Sequence, residues 1–574
     1  MKIRISRVSG FCMGVRIAID NVLEAANRPR GAIFVDGPVI HNPQVISLLE
    51  NKGVQALAPD TRLTAADTVI IRAHGVPPER EAQFRAAGCR VINATCPLVA
   101  RIQKIIERER GQGWHIVIVG EQGHPEVIGL EGYAGTDGTI IESAADLDRI
   151  PAGRPLALVA QSTQDIDEFE TIAARVRERF PSAVVHDTIC RATRERQEAV
   201  KELAATCDAV IVVGGQQSGN TKRLVQIAGR SVPTFHVETA GEIDEAAVAG
   251  FAAVGIAGGA STPNWMIIAV KERLARIAER HDPVLLRPAK RLAGFLINSN
   301  LVTAAAGAGL AWAYYGVANP GRPALCTLIA FLYIFAMHTL NRFTKYGAYR
   351  FNSPLRASFF ESTKAIFLTA GIAALAGAAV AAASISHRHL GILALCSLPG
   401  ALYPLPLVPA RLARVIPFRS LREIPGSKDI VIGLGWAFII VLLPALGTAG
   451  TFTAAHLGAF TFIFLLVAAR SVLYDILDIP GDRITGNDTI PILLGFQRTR
   501  RLLFTMLALA AVMLAAGLAF GTVGRPALVF TLTITALGLL AAACTERTAY
   551  HSTLYEGLTD LSFILTGAAA LALP

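Results

Sequence analysis

Two patterns of apolar positions divide the chain. Over residues 1–283, short β-branched runs alternate with amphipathic helical stretches such as "FETIAARVRERF", and each run ends in a polar loop marked by Gly or Pro. That alternation predicts strands and helices in turn, hence α/β units with parallel sheets. From Gly294 onward, long apolar runs follow one another with short polar gaps. Nine runs, at 294–315, 324–341, 364–386, 389–409, 430–448, 455–474, 502–521, 527–544 and 556–573, come close to the roughly 20 residues of a membrane-spanning helix. The expected organisation is an α/β domain over 1–283, a linker at 284–293 and an all-α transmembrane bundle of nine spans over 294–574.

Composition changes this picture only through its placement. The hydrophobic share of 52% and charged share of 17% average two unlike halves, and the formal charge of +10 is concentrated in the gaps between apolar runs. Such placement points to a membrane surface and away from nucleic acid. Loops after the second, fourth, sixth and eighth runs, counted with Lys364 and Arg470 at the flanking run ends, hold 16 Lys and Arg, against three (Arg322, Arg388, Arg525) in the alternate loops. Basic loops stay inside, which places the even loops and the N-terminal domain together on the cytoplasmic side of an inner membrane. The N-terminal "MKIRISRVSGFCMGVRI" has no apolar signal core, in keeping with a cytoplasmic domain whose thiols stay reduced. Of the eight cysteines, Cys326, Cys396 and Cys544 lie in apolar runs as small packing residues.

The chemistry of the first half collects at strand ends. His41 follows "AIFVDGPVI", His74 follows "TVIIRA", and His124 and Glu126 follow "HIVIVGEQG". Thr163, Ser218 with Gly219 and Asn220, and Ser261 occupy the corresponding places after later runs. Ligands of open α/β sheets bind at those ends, and the loops "GGQQSGNT" and "AGGASTP" offer backbone N–H groups to an anion. Cys12, Cys96 and Cys190 are separated by 84 and 94 residues, each interval the size of one small α/β unit. Three such units around a pseudo-threefold axis could aim three thiolates at one centre. A [4Fe–4S] cluster with one open iron, a zinc site completed by a histidine, and three separate packing cysteines all fit that spacing.

Taken in order, "GFCMGV", "VIHNPQV", "AHGVPPE", "ATCPLV", "GHPEV", "QSTQ", "DTICRATRERQEAV", "SGNTKRL" and "GASTP" resemble the LytB/IspH family of 4-hydroxy-3-methylbut-2-enyl diphosphate reductases. The resemblance implies a [4Fe–4S] cluster on Cys12, Cys96 and Cys190, and reduction of 4-hydroxy-3-methylbut-2-enyl diphosphate to isopentenyl and dimethylallyl diphosphates. It further implies that His41, His74, His124, Ser218, Asn220 and Ser261 hold the diphosphate, that Glu126 relays protons, and that Thr163 bonds near the substrate hydroxyl. A reduced ferredoxin or flavodoxin would supply the electrons. Gly219 stands where many members carry serine, so a backbone N–H would take over that contact.

In the second half, Asp475, Asp478 and Asp482 of "YDILDIPGDRITGNDTIPILLG" recur at three and four residues, on one face if helical. Converging carboxylates suit Mg²⁺ bridging to a diphosphate, and a solvated acidic loop reads the same way by spacing. The stretch resembles the second aspartate motif of UbiA-family intramembrane prenyltransferases, which implies Mg²⁺, a prenyl diphosphate and a lipid acceptor. In the first motif of that family Asn341 is kept, but Lys345 and Tyr349 stand at the aspartate positions of "NRFTKYGAY". A charged lysine cannot ligate Mg²⁺, so a membrane anchor or prenyl-lipid binder without transfer chemistry is the competing expectation.

Overall fold

Every β-branched run of the first half becomes a strand. The computed structural model describes all residues except 28–30, 152, 282–285, 319–321, 344–350, 404, 410–417, 419, 448–451, 546–547 and 573–574. It divides into two units, Met1–His281 and Asp282–Pro574.

The first unit begins with β1 (Lys2–Ile5) and α1 (Met13–Asn27). There follow β2 (Ile33–Val35), α2 (Pro43–Glu50), β3 (Val54–Ala56), β4 (Thr68–Ile71), α3 (Pro78–Ala86), β5 (Arg90–Asn93) and α4 (Pro97–Gly111). A second series comprises β6 (His115–Val119), α5 (Pro125–Ala134), β7 (Gly138–Ile141), β8 (Leu156–Ala160), α6 (Ile166–Arg179), β9 (Val184–Val185) and α7 (Arg191–Thr206). The last comprises β10 (Ala209–Val213), α8 (Gly219–Gly229), β11 (Thr234–Val237), α9 (Glu245–Val248), β12 (Ala253–Gly258) and α10 (Asn264–His281).

These strands form three four-stranded sheets, ordered β3-β2-β4-β5, β7-β6-β8-β9 and β11-β10-β12-β1, with parallel pairing throughout. Each repeats one spatial order: second, first, third, fourth. In the third sheet β1 takes the fourth place, Lys2 lying opposite Ala253 and Ile5 opposite Ile256. Central strands such as β6, β8 and β10 are buried along their whole length. Burial on both faces explains why they read as continuous apolar runs rather than alternating ones. Helices cover those faces with apolar stripes, α1 through Val15, Ala18, Ile19, Val22 and Leu23.

The second unit is helical. Seven of its described helices are long and apolar enough to cross a membrane: Leu301–Ala318, Pro323–Arg342, Lys364–Ile385, Ser427–Leu446, Ala454–Thr485, Phe496–Ala519 and Arg525–Ala543. This corrects the expected nine. The run at 389–409 yields a helix of only 16 residues, His387–Leu402, with Pro399 inside it; its rise of about 24 Å falls short of a hydrocarbon core of about 30 Å. The run at 556–573 becomes Ser552–Leu571, whose Glu556 and Asp560 lower its apolarity. Both acids are paired inside the bundle, Asp560 with Arg470 at 2.6 Å and Glu556 with Arg356 at 2.6 Å. Gly309 and Gly567 let that helix approach Leu301–Ala318 closely, since a Cβ on Gly567 would lie 2.5 Å from the Gly309 Cα. Small residues serve this purpose between helices in lipid. The first span starts at Leu301 rather than 294, because the chain breaks at Asn300, whose φ of 65° is left-handed. Removing the fourth run from the count reverses the parity of every later loop, so the tally of basic loops no longer assigns them one side.

Candidate active site

The threefold topology places like residues at like positions. Cys96 follows β5, Cys190 follows β9 and Cys12 follows β1, each behind the fourth strand of its sheet and directly before α4, α7 and α1. Their backbones are fixed alike. The N–H of Cys12 donates to the Ala260 carbonyl at 3.1 Å, that of Cys96 to Ala73 at 2.9 Å and that of Cys190 to Ser162 at 2.9 Å. Each acceptor lies just beyond the third strand of the same sheet. The sulfurs also meet helix N-termini: Val15 N–H points at Cys12 Sγ at 3.5 Å, Leu98 and Val99 donate to Cys96, and Ala192 and Thr193 to Cys190. Burial, the larger effect, nonetheless pushes the Cys96 and Cys190 thiols upward. Gly14 is needed for this approach, because a Cβ there would sit 2.3 Å from Cys96 Sγ. All eight cysteines are free thiols.

Polar residues follow the first and third strands in the same way. His41, His124 and Ser218 come after β2, β6 and β10, while His74, Ser162 and Ser261 come after β4, β8 and β12. His124 caps α5, its Nδ1 accepting the Glu126 N–H at 3.1 Å, and Ser218 caps α8. The rings of His41, His74 and His124 lie 5.0–5.8 Å apart between centroids. Burial, reinforced by neighbouring positive charge, lowers all three from the usual histidine range, His124 to about 4. His41 Nε2, His74 Nδ1 and Asn220 Nδ2 are buried with no hydrogen-bond partner among the described residues. Buried polar atoms without partners are costly, so these atoms can take a polar ligand. Ser261 Oγ reaches the His41 carbonyl at 3.3 Å, and Gly219 lies beside His124 Nε2.

Glu126, in the first turn of α5, is 1% exposed. Its carboxylate accepts from the Ser162 N–H at 2.7 Å and the Ser162 hydroxyl at 2.8 Å. Burial raises its pKa, and these two bonds oppose the rise. Thr163, singled out from the sequence, also lines the cavity, but its hydroxyl accepts from Gln161. Ser162, which shares the strand-end loop "QSTQ" with Thr163, is the residue that meets Glu126, a pairing that the sequence does not show. Cys12, Cys96, Cys190, His41, His74, His124, Glu126, Thr163, Ser218, Gly219, Asn220 and Ser261 all line one cavity of about 90 Å³.

In the helical unit, Asp475, Asp478 and Asp482 share the single helix Ala454–Thr485, which runs past Pro480 to a left-handed Gly486. They line one small cavity, and Asp478 also lines a larger one of about 170 Å³ together with Asn341. Lys428 hydrogen-bonds to Asp475, and Asn487 donates to Asp482 at 3.0 Å. Lys345 and Tyr349 lie outside the described residues.

Residues 3–275 match the family model described as LytB protein, and residues 300–553 match that of the UbiA prenyltransferase family. A 4-hydroxy-3-methylbut-2-enyl diphosphate reductase of Aquifex aeolicus is 40% identical over 279 residues, covering 48% of this chain and 96% of the relative. The reductase of Alkaliphilus oremlandii is 39% identical over 277 residues, covering 48% and 99%. A solved structure of (E)-4-hydroxy-3-methyl-but-2-enyl diphosphate reductase is 38% identical, covering 48% of this chain and 100% of its own, with a TM-score of 0.40. A UbiA homolog from Archaeoglobus fulgidus bound to GPP and Mg²⁺ is 17% identical, covering 49% and 99%, with a TM-score of 0.35.

Proposed function

The chain belongs to the LytB family of 4-hydroxy-3-methylbut-2-enyl diphosphate reductases through residues 3–275, and from that membership we propose the reaction and the residue roles of its first unit. The substrate is 4-hydroxy-3-methylbut-2-enyl diphosphate. Two electrons and two protons are consumed, the allylic C–O bond breaks, the hydroxyl leaves as water, and isopentenyl or dimethylallyl diphosphate remains. The observation that carries this reading is the convergence of three thiols, three imidazoles and one buried carboxyl on a single cavity.

The residues fit an iron–sulfur cluster. Three cysteines in equivalent turns, each meeting backbone N–H groups, open on one cavity of about 90 Å³, room for a group larger than a single ion. Held by Cys12, Cys96 and Cys190, a [4Fe–4S] cluster would supply the electrons and one iron free of protein ligands. His41, His74, His124, Asn220, Ser218 and Ser261 hold the diphosphate, with unpartnered atoms of His41, His74 and Asn220 facing it. Glu126, whose pKa burial raises, gives a proton to the departing hydroxyl. Ser162 holds that carboxyl in place, and Thr163 stands beside the substrate hydroxyl. The first unit works on the cytoplasmic side of an inner membrane and receives electrons from a reduced ferredoxin or flavodoxin.

The UbiA-like unit binds a prenyl diphosphate through Asp475, Asp478, Asp482 and Asn341, with Mg²⁺, and transfers the prenyl group to a lipid acceptor. The bond from Lys428 to Asp475 favours a second reading, in which an internal cation takes the place of metal and the unit only anchors the chain or holds prenyl lipid. Anaerobic purification with iron and sulfide analysis tests the first unit; zinc without the brown cluster absorption overturns it. Mg²⁺-dependent prenyl transfer that disappears in D478N supports the first reading of the second unit, whereas no transfer by the parent chain supports the second.

A further inference from the structure

The sequence of α4 is amphipathic in an informative way. It buries Val99, Ile102 and Ile106 and turns Arg101, Lys104 and Arg108 outward at helical spacing. With His186, which follows β9, these three basic residues line an open groove. Arg108 is held by the buried Glu109 at 2.5 Å, and His186 Nε2 lies 3.1 Å from the same carboxylate oxygen. Arg101 and Lys104 are exposed and have no ion-pair partner among the described residues, and Glu107 is the one exposed acid on that helix near them.

The position of the groove matters as much as its charge. Arg101 lies five residues into a helix capped by Cys96, about 7.5 Å along its axis. His186 lies four residues before Cys190 in the chain. The groove is therefore walled by two of the three segments that lead to the thiols, outside the substrate cavity.

We propose that this groove docks an acidic electron-carrier protein, so that electrons enter past Arg101 and Lys104 toward Cys96 and Cys190. The proposal rests on the reductase reading above. Basic side chains lining a concavity meet a convex protein surface better than a planar sheet of lipid headgroups, and exposed unpaired cations act chiefly by steering an oppositely charged partner.

The test uses the full chain, loaded anaerobically with its cluster, in zwitterionic nanodiscs. The probes are an acidic [2Fe–2S] ferredoxin and, as a small reductant, reduced methyl viologen. The charge reversal R101E/K104E should weaken ferredoxin binding by about tenfold or more and raise KM for ferredoxin alike. Viologen-driven turnover and iron content should stay within about twofold of the parent, because neither residue faces substrate or thiol. Parent binding should weaken with added salt. Unchanged ferredoxin affinity in the variant overturns the docking site while leaving the reductase reading intact. A variant effect seen only when the nanodiscs carry anionic lipid reassigns the groove to the membrane and also overturns it. No viologen-driven turnover in the parent removes the reductase reading and this proposal with it.

Discussion

At the scale of single residues, the proposed proton donor is Glu126, and Ser162 is the residue that meets its carboxylate. A carboxyl that is 1% exposed loses its proton at higher pH than one in water, and Ser162 limits how far the shift goes. E126Q should therefore cut reduction by at least about 10²-fold with iron content unchanged, measured with a small reductant so that carrier docking plays no part. The histidines act in the opposite sense on stability. His124 is held at about 4 in the folded chain, against the ordinary 6.5 of an unfolded one. Between those values the unfolded chain binds more protons, so stability falls as pH drops from 6.5 toward 4. The loss at pH 5 from this group is about 2 kcal/mol. Unfolding temperatures of the first unit at pH 7.5 and 5 should show that loss, and inorganic diphosphate should offset it by favouring charged imidazoles. The histidines were legible from sequence because each stood alone at a strand end. Which of Ser162 and Thr163 meets Glu126 was not, because two adjacent hydroxyl residues in one loop differ only in which way the backbone turns them.

At the scale of elements, the three cysteine turns are one device used three times: a fourth strand, a thiol, and a helix whose first N–H groups meet the sulfur. Its tolerances are set by what stands opposite. Gly14, in the first turn of α1, leaves only the space that Cys96 Sγ fills. G14A should lower iron per chain severalfold while far-ultraviolet circular dichroism stays that of the parent, since the helix itself gains from alanine. Cysteine spacing allowed for the three sheets of the first unit without singling them out, and no sequence repeat accompanied it, because equivalent positions need only the same backbone path. Counting apolar runs worked less well in the second unit. It treated every run as if it faced lipid, whereas Glu556 and Asp560 are matched by Arg356 and Arg470 within the bundle. Such pairing makes buried charge tolerable on one face of a helix whose other face exposes Leu554, Leu558, Leu561 and Leu565.

At the scale of the whole molecule, two units with separate cores share one chain. The reductase relative from Aquifex aeolicus is matched over 96% of its length by the first unit's stretch of sequence. Residues 1–281 alone should therefore be recovered without detergent, carry the same iron per chain and turn over substrate with viologen at about the parent rate; aggregation or iron loss in that fragment would show that the membrane unit completes it. The permuted third sheet bears on how such a chain is made. β1 has no partner until β12 is synthesised, so Cys12 cannot reach its final place until nearly the whole reductase segment has left the ribosome. The first spanning helix begins at Leu301, 43 residues after β12 ends at Gly258. Closure of the last sheet and delivery of the nascent chain to the membrane thus fall within the same short interval of translation.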